Sequence, residues 1–289
     1  MIDTAILPVA GLGTRMLPAT KEQPKEMLPV PVRHPRYGLV FKPFLQLVYE
    51  NLYAAGIRRF IFVVGRGKRS IEDHFTPDWG YADYLESRGK KREAEMLREF
   101  YHMIESSTIA WVNQPQPLGF GDAVYRGALL AGDKPFIVHA GDILLYNPGD
   151  NSSPILSRLI RLYSEREPDA LIVLRRVKDP RHYGVAVVEE KNNGVYVVRS
   201  VVEKPEKPPS NLAIAAIYAF HPVITKALKT LKPSKRGEIE LTDAIKRLIE
   251  WGLRVEAIEA TSERFLDIGR PETYLETINT LIKGAEESE

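Results

Sequence analysis

V-A-G-L-G-T-R-M-L-P-A-T-K-E-Q-P-K-E-M-L-P, residues 9–29, follows an apolar run, Thr4 to Val9, of the length and kind that makes a buried strand. Gly11 and Gly13 let backbone amides come close to an anion, and Arg15, Lys21 and Lys25 supply opposing charge. Pro18, Pro24 and Pro29 prevent one regular helix, so the stretch is predicted to be a long irregular connection at the carboxyl end of the first strand. Leu12, Met16, Leu17, Met27 and Leu28 are spaced for the connection to fold back on itself. A Walker A loop needs G-x-x-x-x-G-K-[ST], which is missing, and a dinucleotide fingerprint needs a third glycine where Met16 stands. The remaining reading is a phosphate loop of another kind.

Working outward, Phe44 to Ala55 has helical spacing and ends at Gly56, and Arg59 to Val64 is a buried strand. Strand, helix and strand in that order predict a βαβ unit and a parallel sheet. Ser70 to Ile104 is charged and helical; His74 within it has no second histidine at ligand spacing and is expected at the surface or as a cap. Thr108 to Asn113 is the next strand, followed by Gln114, P-Q-P-L-G-F-G and a helix from Asp122 to Ala131. Phe136 to His139 is a short strand leading into A-G-D-I-L. Asp142 therefore lies at the mouth of the sheet, where a carboxylate suits a magnesium ion.

Asn151 to Glu167 reads as an amphipathic helix and Ala170 to Arg176 as a strand. Asn193-Gly194 is predicted to close a hairpin between alternating strands. Ser210 to Ile214 leads into a strand ending at Phe220, and a helix runs to Leu231. G-E-I-E-L-T-D-A-I opens another helix, with Glu240 and Asp243 at its positive end as caps or as support for a site. F-L-D-I-G puts Asp267 after a strand, and Pro271 starts a closing helix.

The 289 residues are 44% hydrophobic and 27% charged, ordinary for a soluble protein with a sizeable core. The chain has no cysteine, which excludes disulfides and thiolate metal sites. A net charge of +2 gives no argument for a nucleic-acid partner, and the basic clusters Arg33 to Arg36, Lys90 to Arg92 and Lys232 to Arg236 read as solvated faces. No leader and no apolar run of membrane-spanning length stands in the sequence, so a cytoplasmic location is expected and the Asn151 sequon carries no meaning.

The stretch from Val9 to Pro29 resembles the N-terminal motif of the sugar-phosphate nucleotidyltransferases, and in detail that of the bacterial-type UTP:glucose-1-phosphate uridylyltransferases. The resemblance implies one α/β nucleotidyltransferase domain over 1–289, a Rossmann-like three-layer αβα fold with a mixed, mostly parallel sheet. Its nucleotide-binding part would span about 1–150, its sugar-binding part about 151–270 and its closing helix 271–289. It places Ala10, Gly11, Gly13 and Thr14 at the nucleotide, Arg15 at the leaving pyrophosphate and Lys25 at the α-phosphate. Gln114 would bond the uracil edge, with Gly119 passing close to the base.

Tyr183-Gly184-Val185 and Val202-Glu203-Lys204-Pro205 look like the family's sugar-binding motifs. By that resemblance Gly184 and Glu203 hold the glucosyl unit, Lys204 pairs its phosphate, and Asp142 with Asp267 serves Mg2+. Three departures stand out: Asp122 where histidine is common, Gly141 where the uridylyl branch has proline, and Arg33 to Phe41, which reads as an insertion. The implied reaction joins UTP and glucose 1-phosphate into UDP-glucose and pyrophosphate. A sugar phosphate is already ionised at neutral pH, so no general base is required. A thymidylyl or other NDP-sugar enzyme and a non-catalytic nucleotide-sugar sensor are the alternatives. A homo-oligomer, dimer or tetramer, is implied as well.

Overall fold

The computed structural model describes residues 2–147, 153–191 and 194–286. In chain order the first half carries β1 (Thr4–Pro8), β2 (Pro29–His34), β3 (Gly38–Pro43), α1 (Phe44–Ala54), β4 (Arg59–Val64), α2 (Arg69–His74), α3 (Trp79–Ser87), α4 (Lys91–Glu105), β5 (Thr108–Asn113), α5 (Phe120–Ala131), β6 (Phe136–His139) and β7 (Ile143–Tyr146). The second carries α6 (Pro154–Arg166), β8 (Ala170–Arg176), β9 (Gly184–Lys191), β10 (Val195–Glu203), β11 (Leu212–Phe220), α7 (Val223–Thr230), α8 (Leu241–Glu250), β12 (Val255–Glu259), β13 (Arg264–Asp267) and α9 (Pro271–Glu286).

Nine strands form one sheet in the order β5-β4-β1-β6-β11-β8-β12-β10-β9. β5, β4, β1 and β6 are mutually parallel, as the βαβ reading predicts. β11 runs against β6 and β8, and β10 against β12 and β9, so the sheet is mixed but mostly parallel. Alternate residues of each central strand feed two cores. Ala5 and Leu7 of β1 and Phe60 and Phe62 of β4 pack with α1 and α4, while Ile6, Ile61 and Val63 pack with α5. This gives helix, sheet and helix layers.

The strand order reverses between β1 and β6, and at such a reversal the loops leaving the carboxyl ends diverge and open a crevice. The connection after β1 and the segment carrying Asp142 after β6 flank it.

Several boundaries differ from the sequence reading. Helix α5 starts at Phe120 instead of Asp122, two residues earlier, because Gly119, with φ of 108°, turns the chain into it. Strands β7 and β12 lack a sequence signal of their own, whereas β13 is the strand read before Asp267, which it includes as its last residue; β7 and β13 pair with each other. Arg33 to Phe41 forms most of an antiparallel hairpin, β2–β3. Helix α6 runs Pro154–Arg166, and the start predicted at Asn151 lies outside the described residues. Asn193 of the predicted hairpin turn also lies outside them, but its arms β9 and β10 pair antiparallel as expected.

His74 is not a surface or capping residue. It packs between Phe75 and Phe100, and its Nε2 lies 3.0 Å from Oε1 of buried Gln46. Burial pushes its imidazole down to about 4, which keeps it neutral. Leu12 and Leu17 are 62% and 53% exposed, contrary to the fold-back expectation, while Met16, Met27 and Leu28 are buried. The connection tightens into a 3-10 turn at Thr14–Met16, and within that turn only Met16 is buried.

Candidate active site

Two 3-10 turns shape the connection after β1, Thr14–Met16 and Lys25–Met27. Gly13 sits before the first in the left-handed region, φ 66°, which a side chain would strain. Oγ1 of Thr20 donates to the Gly13 carbonyl at 2.8 Å and closes the loop. Ala10 is buried against Gly65 of the neighbouring strand end, whereas Gly11, Thr14 and Arg15 are exposed at the rim. Arg15 has no ion-pair partner among the described residues.

The second turn delivers Lys25 to Asp142: Nζ donates to Oδ2 in a short, largely buried ion pair. Burial alone would lower the Lys25 ammonium, but Asp142, Glu26 and Asp267 outweigh it and hold it above its ordinary range. Burial would likewise raise the Asp142 carboxyl, but Lys25 and then Arg15 hold it below its ordinary value. Glu26, 2% exposed, pairs with Lys68 at 3.1 Å, an ion pair that anchors the turn from beneath. Sequence reasoning passed over both residues; the only signal was a lysine in the loop after a buried strand.

Asp267 reaches the same place through the β7–β13 pairing, in which it lies opposite Ile143, the neighbour of Asp142. A Cβ placed on Gly269 would be 3.0 Å from Oδ1 of Asp267 and 3.7 Å from Oδ2 of Asp142, so the two carboxylates converge. Burial, and then the charge of Asp142, raise the Asp267 carboxyl. Two converging carboxylate oxygens fit a hard divalent cation that takes its remaining ligands from phosphates and water. No cluster of three or more ligating side chains exists among the described residues.

Asp142 also lines a cavity of about 220 Å³ together with Gly184, Glu203, Lys204, Glu240 and Thr242. Gly184 pairs across the hairpin with Glu203, and a Cβ there would lie 2.8 Å from Oγ1 of Thr242. That hydroxyl donates to Oε2 of Glu203 at 2.6 Å. Lys204, at φ 40°, holds a backbone region uncommon for a residue with a side chain, and its Nζ lies 3.4 Å from Oε1 of Glu203.

Of this wall the sequence reading missed Thr242, whereas it named Glu240 as a cap or as support for a site. Thr242 stands inside the quoted G-E-I-E-L-T-D-A-I without having been singled out. Glu240 is buried, with Oε1 unpartnered in hydrogen bonding. Arg236, read as part of a solvated basic face, is 40% exposed and also reaches to within 3.4 Å of Glu240 and 3.8 Å of Glu203. The 3.4 Å approach is an ion pair without hydrogen-bond alignment, which accounts for both observations on Glu240.

Gln114 leaves the end of β5 with its backbone N–H on Val64 O and its side chain 5% exposed. Its Nε2 donates to Gly119 O at 3.1 Å and to Oδ2 of Asp122 at 2.8 Å. Gly119 could not be another residue, since a Cβ would lie 2.8 Å from Ile239 O. The structure thus groups Arg15, Lys25, Asp142 and Asp267 at one end of the crevice and Gly184, Glu203 and Lys204 along its wall. Gln114 and Gly119 form a separate loop whose Leu118 and Gly121 hydrogen-bond to Ile239 beside that wall.

A family model described as nucleotidyl transferase matches residues 4–284. The chain belongs to the nucleotidyl transferase family. A UTP–glucose-1-phosphate uridylyltransferase of Pseudomonas aeruginosa is 36% identical over 284 residues, covering 96% of this chain and 95% of the relative. UTP–glucose-1-phosphate uridylyltransferase 2 of Streptococcus pyogenes serotype M3 is 36% identical over 280 residues, covering 96% and 89%. Among nucleotidyl transferases of known structure, a UDP-glucose pyrophosphorylase crystallised with UDP-glucose superposes with a TM-score of 0.83 at 33% identity, covering 98% of this chain and 99% of the other. A UTP-bound UGPase from Acinetobacter baumannii gives 0.82 at 32% identity, covering 97% and 93%.

Proposed function

We propose that this nucleotidyl transferase makes UDP-glucose and pyrophosphate from UTP and glucose 1-phosphate. The carrying observation is that Asp142 bonds Lys25 on one side and lines the Glu203–Lys204 cavity on the other. One carboxylate therefore joins the end of the crevice that holds the phosphate loop to the wall that holds a hairpin rich in hydroxyl-binding groups.

In the proposed step an oxygen of the sugar phosphate attacks the α-phosphorus of UTP in line. The bond to the bridging oxygen breaks and pyrophosphate departs with that electron pair. The attacking oxygen carries no proton at neutral pH, so no group on the protein must remove one. What the protein supplies is position and charge. Ala10, Gly11, Gly13 and Thr14 present backbone to the triphosphate, Lys25 holds the α-phosphate, and the exposed Arg15 receives the pyrophosphate. Gln114 and Gly119 take the base, Gly184 and Glu203 the sugar, and Lys204 the sugar phosphate. Mg2+ on Asp142 and Asp267 would neutralise phosphate charge.

Pyrophosphate release across a panel of nucleoside triphosphates and hexose 1-phosphates tests the proposal. The pair UTP and glucose 1-phosphate is expected to give the highest kcat/KM. No release from that pair, in the presence of Mg2+, overturns it.

A further inference from the structure

We infer that Asp122 sets nucleobase choice by fixing the side-chain amide of Gln114 as a pure hydrogen-bond acceptor toward the base. An amide has two N–H donors and one acceptor oxygen, and its two orientations are otherwise close in shape. Here both partners of Nε2, the Gly119 carbonyl and the Asp122 carboxylate, accept only, so the orientation is decided by chemistry. Nε of Arg126 donates to the same Oδ2 of Asp122 at 2.8 Å, on the next turn of α5, and holds the carboxylate in place. Gln114 and Asp122 are 5% and 6% exposed, so neither bond competes with bulk water. Both donors of the amide are consumed. Oε1 is left with no partner among the described residues and is not sealed away from solvent.

A lone acceptor reads a donor. Uracil and thymine carry an N–H at ring position 3, whereas cytosine carries a lone pair there, which an acceptor repels. Facing ring position 3, and not the neighbouring 4-amino donor of cytosine, the acceptor therefore favours UTP or dTTP over CTP and is neutral between the first two. Asp122 is a positioning residue. It touches Gln114 and acts through the orientation of that amide.

The inference rests on the reading of the crevice as a nucleotide site, so its test is direct binding without sugar phosphate. Titration calorimetry with UTP and with CTP, in buffer containing Mg2+, compares the wild-type chain with Asp122→Asn and Asp122→Ala, each verified as folded by its melting curve. The wild type is expected to prefer UTP. An Asn amide can reverse together with Gln114, and Ala frees one donor, so the UTP-to-CTP affinity ratio should fall by about tenfold, chiefly through weaker UTP binding. If Asp122→Ala does not fold, the near-isosteric Asp122→Asn carries the test. A ratio unchanged in a folded variant, an equal loss for both nucleotides, or a wild type indifferent between them overturns the inference. A wild type that prefers UTP but releases no pyrophosphate from UTP and glucose 1-phosphate would defeat the proposed reaction and leave this inference standing.

Discussion

At the loop end of the crevice two carboxylates meet lysines, with Lys25 on Asp142 and Lys68 on Glu26; at the hairpin end carboxylates are packed among one another. There burial, and then Glu203, raise the carboxyls of Glu240 and Asp243, although Arg236 and Lys204 stand nearby. The two ends are thus built for different ligand chemistry. Fixed cations with two converging carboxylates suit phosphates and a metal, and carboxylates crowded beside a hydroxyl suit the donors of a sugar ring.

The largest expected effect breaks the first end. Under the proposed reaction, Lys25→Ala removes the cation that holds the α-phosphate and should lower turnover by about two to three decades, or about 3–4 kcal/mol of barrier. Steady-state pyrophosphate release checks it. Near-native turnover in a folded variant would remove Lys25 from the mechanism and erase the contrast between the ends. Glu26→Ala should act on stability instead, because it strands the buried ammonium of Lys68. Losing one member of a buried pair costs about 3–5 kcal/mol. A denaturant midpoint unchanged at constant slope would show that the turn carrying Lys25 is held by something else.

At the hairpin end the effects are smaller. Thr242→Val keeps the shape and removes the donor to Oε2 of Glu203. One such bond is worth about 1–1.5 kcal/mol, so KM for glucose 1-phosphate should rise about tenfold with kcat little changed. A fall in kcat at unchanged KM would move Glu203 from holding substrate to the chemical step.

The unequal sizes of these effects match what the sequence disclosed. Runs whose fold is local were legible: β4, β5, β6 and β8 have the boundaries their apolar residues predict, and for β4, β6 and β8 the reason is that a strand buried on both faces writes itself as a continuous run. The glycine and proline connection also declared its character, since those residues constrain backbone directly. The pairing of the four-residue β7 with β13 was illegible because it joins segments some 120 positions apart, and that pairing is what brings Asp267 to Asp142. The partnership of Gln114 with Asp122 was hidden for a related reason: it spans a loop held by Ile239, far along the chain. The ion pairs of Arg236 with Glu240 and Glu203 were not legible, because a cluster of basic letters gives no sign of which one meets a carboxylate.

A pH effect separates the two ends most sharply, because it has opposite signs in them. The Asp142 carboxyl is held down, so its contribution to stability is present above its unfolded value and is lost as pH falls through the folded one. The Glu240 carboxyl is pushed up to about 7 from an ordinary 4.5, by burial first and then by Glu203. Between those values the folded chain keeps a proton there that the unfolded chain has released. Stability should therefore fall as pH rises from about 4.5 to about 7, and its slope from this group should vanish above that range. Glu240→Gln is uncharged throughout and removes the slope, so the variant should gain melting temperature relative to wild type as pH rises across this window. Parallel melting curves for the two proteins would mean that Arg236 neutralises Glu240 fully, and that the hairpin end balances its charges as the loop end does.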